Sequence, residues 1–322
     1  MNASSETGAG VASARDLYEA CRERVRAVVM GQDAAFDAAF VALITGGHAL
    51  LEGVPGLAKT LLVRTIAATL DAEFGRVQFT VDLMPSDVTG SVMLQNDRFE
   101  FRPGPVFTDL LLADEINRAP AKTQSALLEA MQERTVTADG TSHRLPELFT
   151  VFATQNPIEH EGTYPLPEAE LDRFMMMIRL DYPDEAAERA ILAAHHASAS
   201  HVDLSEVSPV SDRDGVRRVR QQVRDVSVSD EVLDYVARLV RATRAHLSVA
   251  AGCSPRAGLE LVRASKGGAA IEGRDFVTPD DVKRWSQPVL QHRLVLVPGA
   301  EIGGADPAEV IDSVMSSTEV PT

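Results

Sequence analysis

The chain has 322 residues, 45% hydrophobic and 24% charged, and a formal net charge of −16 at pH 7, enough length for two domains. Its acidic balance argues against a protein whose main task is gripping nucleic acid, because phosphate binding relies on Lys and Arg. The longest apolar run, Ala38 to Leu51, is broken by Thr45, Gly46, Gly47 and His48, so no bilayer-spanning segment or membrane insertion is expected.

The opening MNASSETGAG has neither a basic nor an apolar signal region, and residues 1–14 read as a short disordered tail. Cys21 and Cys253 form no C-x-x-C and no disulfide framework, which suits packing roles in a reducing cytoplasm. Apolar spacing predicts helices over Arg15 to Val29 and Gln32 to Leu43, then a strand from His48 to Glu52 and a helix from Leu61 to Leu70. VQFTV (77–81), LLLA (110–113), FTVFAT (149–154) and MMMIRL (175–180) read as further strands, and Thr123 to Gln132 as a helix. That alternation predicts an α/β domain with a parallel sheet over residues 15–182. Residues 91–106 and 134–146 interrupt it as hairpins turning at Gln95-Asn96-Asp97 and Asp139-Gly140.

Beyond Asp181-Tyr182-Pro183 the pattern is helical, with a smaller all-helical domain over 183–300 and a C-terminal tail over 301–322. Glu185 to Ala197 is its first helix; Val216, Val219 and Val223 stripe the next. Ser229 caps another with Val232, Leu233, Val236, Leu239 and Val240 apolar; Ser254-Pro255 and Thr278-Pro279 open the last two.

Between the first core strand and its helix lies GVPGLAKT, close to the phosphate-binding pattern G-x-x-x-x-G-K-[ST] but with Ala58 where a glycine is usual. Such a loop works through backbone N–H groups and the positive end of the following helix, and alanine still donates its N–H. Ala58 is compatible if its backbone is right-handed, leading into the helix. Gly53, Pro55 and Gly56 supply the turn, Lys59 a cation for the β- and γ-phosphates, and Thr60 a hydroxyl for Mg²⁺. The whole ATP-binding stretch is Gly53, Val54, Pro55, Gly56, Leu57, Ala58, Lys59, Thr60 and Leu61.

LLLADEIN ends a buried strand on two carboxylates: Asp114 for the Mg²⁺ shell and Glu115 to polarise water. Asn156, ending FTVFAT, sits at the carboxyl edge where α/β sheets place ligands and offers a neutral amide to water or the γ-phosphate.

The order GVPGLAKT, LLLADEINRAP, FATQNP, LPEAELDRF and GCSPRAGLEL resembles the AAA+ ATPases, and in particular the MoxR family, whose loop is typically G-x-P-G-x-A-K-T. The resemblance runs from about Val28 to Leu296 and implies an AAA+ P-loop domain with hairpin inserts, followed by a helical lid. It assigns Gly31 and Gln32 to the adenine pocket, Asn156 to sensor 1, Arg173 to an arginine finger serving the neighbouring subunit, and Arg256 to sensor 2, acting in cis or in trans. It further implies a homo-oligomeric ring, a hexamer, hydrolysing ATP with Mg²⁺. The implied work is chaperone-like remodelling or metal-cofactor insertion on partner proteins, often with a von Willebrand factor A-domain protein.

The inserts resemble those of magnesium-chelatase and MCM motors, so the alternative is a nucleic-acid translocase with Arg98, Arg102, Arg134 and Arg144 lining a pore. His195, His196 and His201 lack a completing ligand and read as solvated, not as a metal site. Arg213, Arg217, Arg220 and Arg224 recur on one helix face, read as solvated with local acidic partners, or else as a contact surface.

Overall fold

The structure is a computed structural model in which residues 13–95, 97–156, 163–197, 204 and 207–321 are described. Two helices, α1 (Ala14–Arg26) and α2 (Asp33–Thr45), precede the sheet. Ser13 caps α1 by accepting from the Asp16 N–H, and Tyr18, Phe36 and Phe40 form one aromatic cluster between the two helices. The α2 helix is apolar on nearly every side because the sheet, the first helix and the lid all pack on it.

The core alternates as the sequence predicts: β1 (Ala49–Glu52), α3 (Lys59–Thr69), β2 (Phe74–Gln78), α4 (Pro85–Thr89), the hairpin β3 (Gly90–Gln95) and β4 (Arg98–Pro103), then β5 (Leu110–Asp114) and α5 (Ala121–Glu133). The second hairpin, β6 (Thr135–Ala138) and β7 (Thr141–Arg144), leads to β8 (Thr150–Gln155), α6 (Glu168–Leu171) and β9 (Met176–Arg179). Five strands form one parallel sheet in the order β2-β5-β8-β1-β9. In β5 every residue is buried, and in β8 all but the last, which is why both read as unbroken apolar runs rather than alternating ones.

The edge strand β2 starts three residues before the VQFTV run and stops at Gln78. Its register against β5 ends with Gln78 opposite Asp114, and Phe79 then turns into the core as a buried side chain. The two hairpins touch through Phe101 and His143, whose rings stack with centroids 4.0 Å apart.

The lid comprises α7 (Glu185–Ala197), α8 (Arg213–Asp225), α9 (Asp230–Ala245), α10 (Pro255–Ile271) and α11 (Pro279–Leu290). It is not purely helical, since β10 (Val249–Ala251) pairs antiparallel with β11 (Val295–Leu296). Nor is 301–322 a tail throughout: after α12 (Pro298–Ile302), α13 (Pro307–Ser317) buries Val310, Ile311 and Val314 and packs on the ninth and eleventh helices. Asp306 accepting from Ala308 N–H and Pro307 at the first helical position are the start signals that a tail reading passes over. Leu233, expected in the apolar stripe of α9, is exposed instead. Residues 1–12 and His201, and the side chain of His195, lie outside the described residues. Among those described, no helix is long and apolar enough to cross a membrane.

Candidate active site

Because all five strands run the same way, their carboxyl ends gather at one edge of the sheet. The turn after β1 tightens through Gly56 at φ 91° and Ala58 at φ 60°. Ala58 is therefore left-handed, not right-handed as its side chain would prefer; it forms the N-cap of α3, and the strain costs about 1–2 kcal/mol. Leu57 anchors the loop by burying its side chain. Gly53 is required by close approach, as a Cβ there would lie 2.9 Å from the Leu180 carbonyl oxygen.

Lys59 opens the helix and turns back across the loop, where its Nζ donates to the carbonyls of Gly53 and Gln155. It thus spans the ends of the first and eighth strands, above the point where a phosphate chain on this loop would run. Val54, Pro55, Thr60 and Leu61 complete the stretch, all partly or fully accessible.

Asp114 closes β5 as a buried carboxylate held on both oxygens. Thr154 Oγ1 donates to Oδ1 at 2.6 Å, and Arg76 Nη2 donates to Oδ2 at 2.7 Å. The same Thr154 hydroxyl accepts the Glu115 N–H at 2.8 Å. Glu115 itself takes a left-handed backbone, φ 56° and ψ 51°, which turns it out of the strand line. Its Oε2 accepts from Gln78 Nε2 at 2.6 Å and lies 3.3 Å from Arg118 Nε. Asn156 follows the eighth strand directly and is buried.

Gly31 and Gln32 join this edge from the far side. Gly31 has φ 75°, and Gln32 donates through Nε2 to the Asp181 carbonyl at 3.0 Å, just past β9. The sequence-predicted nucleotide residues are thus brought together at one edge.

Arg173 and Arg256 are not. Both line a cavity of about 180 Å³ with Gly46, Gly47, His48 and Met175, at the amino ends of β1 and β9. A strand length, about 13 Å for four residues, separates that edge from the loop. Arg173 donates to Gln132 Oε1 at 2.7 Å and to the Leu128 carbonyl at 3.3 Å, but to neither Asp172 nor Glu170. Asp172 is taken by Arg293 at 2.7 Å, and Glu170 accepts from Ser125. Arg256 makes no hydrogen bond or ion pair among the described residues.

The donor set at Thr60 and Asp114 fits a hard divalent cation. A hydroxyl and a carboxylate are oxygen ligands of the kind Mg²⁺ takes, and the half-buried Thr60 hydroxyl makes no hydrogen bond among the described residues. Asp114 Oδ1 accepts only the Thr154 hydroxyl among the described residues and so retains a lone pair, whereas Oδ2 accepts two bonds from Arg76, through Nε at 3.2 Å and Nη2 at 2.7 Å.

Residues 48–176 match the family model "ATPase family associated with various cellular activities (AAA)", and residues 241–314 match the AAA lid domain. The chain is 42% identical to Chaperone MoxR1 of Mycobacterium tuberculosis, with 97% of this chain and 84% of the relative covered. The chain belongs to the MoxR family of AAA+ ATPases. It is also 42% identical to the protein YeaC of Bacillus subtilis, covering 93% of each. A crystal structure of a candidate ATPase from Cytophaga hutchinsonii superposes with a TM-score of 0.88 at 40% identity, over 96% of each chain. As a MoxR-family protein, the chain is an AAA+ ATPase.

Sequence reasoning missed Thr154, Arg76 and Gln78, which hold the two carboxylates. Only Thr154 leaves a trace in the sequence, as a polar residue at the carboxyl end of a buried strand. The arginine stripe also divides. Arg213 and Arg217 have acidic partners, Asp109 and Glu147, as expected, but Arg220 is buried and bonded to carbonyls, because its helix packs against the second.

Proposed function

We propose that Gly53 to Leu61, with Gly31 and Gln32, bind ATP, and that Thr60 and Asp114 hold its Mg²⁺. The metal would offset charge on the phosphate oxygens. Lys59 binds the phosphate chain, Glu115 accepts a proton from the attacking water, and Asn156 orients that water. Thr154 fixes the Asp114 carboxylate and the turn that presents Glu115.

The observation that carries the rest is the split of the site residues between opposite edges of the sheet. Arg173 cannot reach its own phosphate loop across a strand length, but a neighbour stacked loop-to-edge would receive it. Arg256 shares that cavity, so both arginines act in trans, on the γ-phosphate bound next door. Such head-to-tail contacts support a closed ring of identical subunits, and a hexamer is the number that the family resemblance implies.

The load is a protein. That the M. tuberculosis relative is a chaperone by name supports that reading. So does the first hairpin, which exposes Met93, Leu94 and Phe99, a surface suited to apolar segments rather than phosphates. A von Willebrand factor A-domain protein is the partner class implied by the family, with cofactor insertion among the maturation tasks. The translocase alternative is disfavoured by the net charge of −16.

Sedimentation of Glu115→Gln with and without ATP and Mg²⁺ tests the assembly. A nucleotide-dependent ring is expected, and a monomer under both conditions refutes it. ATPase stimulation by single-stranded DNA, absent with unfolded protein, would revive the translocase.

A further inference from the structure

Next to the Arg173 cavity lies a larger one, about 790 Å³, between the end of α5, the second hairpin and α8. Six arginines line it, Arg134, Arg144, Arg217, Arg220, Arg224 and Arg263, against two glutamates, Glu133 and Glu147. In a chain of net charge −16 this is a local excess of the opposite sign.

Arg217 and Arg263 have carboxylate partners, Glu147 and Glu260. Among the described residues, no ion pair engages Arg134, Arg144, Arg220 or Arg224. Arg220 is buried, yet its partners are the neutral oxygens of Leu43, Glu147, Leu148 and Thr150 at 3.0–3.2 Å. Arg134 likewise donates to the carbonyls of Gly46 and Phe149. Burial first, and then the Arg134 charge, push the Arg220 guanidinium down to about 9, with the Glu147 carboxylate offsetting only part of that fall. Arg134 is lowered by burial and by Arg263 and Arg224. A buried cation among like charges, satisfied only by neutral acceptors, is destabilising unless an anion offsets it. These carbonyls hold the guanidinium groups in place without neutralising them.

We propose that this cavity binds a compact, multiply phosphorylated small molecule through its phosphate groups. Guanidinium forks match phosphate oxygens two at a time, and several separated arginines need several anionic groups. Among the described residues no aromatic side chain lines the cavity, so recognition rests on the phosphates and not on a stacked base. The open cavity's volume fits a short polyphosphate chain and far exceeds one phosphate. Arg144, Arg217, Arg220 and Arg224 belong to this cavity alone, whereas Arg134 and Arg263 also border that of Arg173.

The probe is inorganic tripolyphosphate, titrated calorimetrically into the full chain saturated with ADP in magnesium-free buffer, so that the phosphate loop is already filled. One tripolyphosphate per chain is expected, binding more weakly as salt rises. Arg144→Gln with Arg224→Gln, both exposed and outside any ion pair among the described residues, should weaken it about tenfold or more. Arg98→Gln, on the exposed first hairpin, should leave it unchanged. No binding at millimolar probe, an unaltered affinity in the double variant, or equal affinity for a hexaglutamate peptide would each overturn the proposal.

Discussion

Thr154 Oγ1 donates to Asp114 Oδ1 at 2.6 Å, tying the end of one buried strand to the end of the next. The same oxygen accepts the Glu115 N–H, so one hydroxyl orients one carboxylate and secures the turn that presents the other.

Replacing Thr154 by valine keeps the shape, removes the donor and leaves the part-buried Glu115 N–H unmet. Stability should fall by about 1–3 kcal/mol and kcat by at least about tenfold, with little change in KM. Thr154→Ser should recover most of the rate. Steady-state kinetics of both variants check this; a serine as poor as the valine would mean the methyl, not the hydroxyl, matters.

Glu115→Gln should retain ATP binding and lose hydrolysis by about 10²–10⁴-fold, because an amide cannot take the proton from water. Single-turnover rates with radiolabelled ATP measure the loss. A rate near wild type would move the base elsewhere on this edge.

Ala58 is held at φ 60° at a strain of about 1–2 kcal/mol, while glycine loses about 0.5–1 kcal/mol in backbone entropy. Ala58→Gly should therefore be neutral or stabilising by about 1 kcal/mol in urea unfolding, with ATP affinity retained. Clear destabilisation would show that the alanine methyl has a packing role that outweighs the backbone.

His48 is buried, its Nδ1 accepting the Val151 N–H and its Nε2 facing the Met131 carbonyl. Burial, then the Arg134 charge, push it down from 6.5 to about 3. His292 is lowered in the same way by burial and Arg293. Histidines kept neutral in the fold bind protons more readily once unfolded. Their contribution is complete above about pH 6.5 and is lost as pH falls towards 3, by up to about 1.4 kcal/mol per pH unit for each. Urea midpoints at pH 7 and pH 5 should show the drop, and NMR should find His48 neutral at pH 5. A His48 that titrates near 6.5 in the native chain would contradict this.

The core was legible because its strands are buried on both faces: LLLAD and TVFAT can be little else, and the loop and carboxylates follow from where such strands stop. The backbone of Ala58 was not, since a left-handed alanine is set by the loop it completes, against its own preference. Arg220 looks like every other member of its stripe, and only the packing of the eighth helix on the second buries it. Asp172 and Glu170 stand beside Arg173 in sequence, yet Arg293 and Ser125, brought there by the fold, take them. Helix α13 carried its own start signals and was missed because a short segment at the chain's end reads as a tail.

The central claim, that Arg173 completes a neighbour's site from the opposite edge of the sheet, is tested most directly by mixing two inactive variants. Lys59→Ala should lose about ten- to hundredfold in ATP affinity with its charge-assisted phosphate contact. Arg173→Ala should bind ATP nearly normally but hydrolyse it about 10³–10⁵-fold more slowly. With subunit exchange verified by fluorescence transfer between labelled chains, ATPase activity is measured across mixing ratios. Activity should reappear in the mixtures and peak at intermediate ratios, where an intact Lys59 meets an intact Arg173 next door. Exchanging mixtures that stay inactive at every ratio would contradict the account.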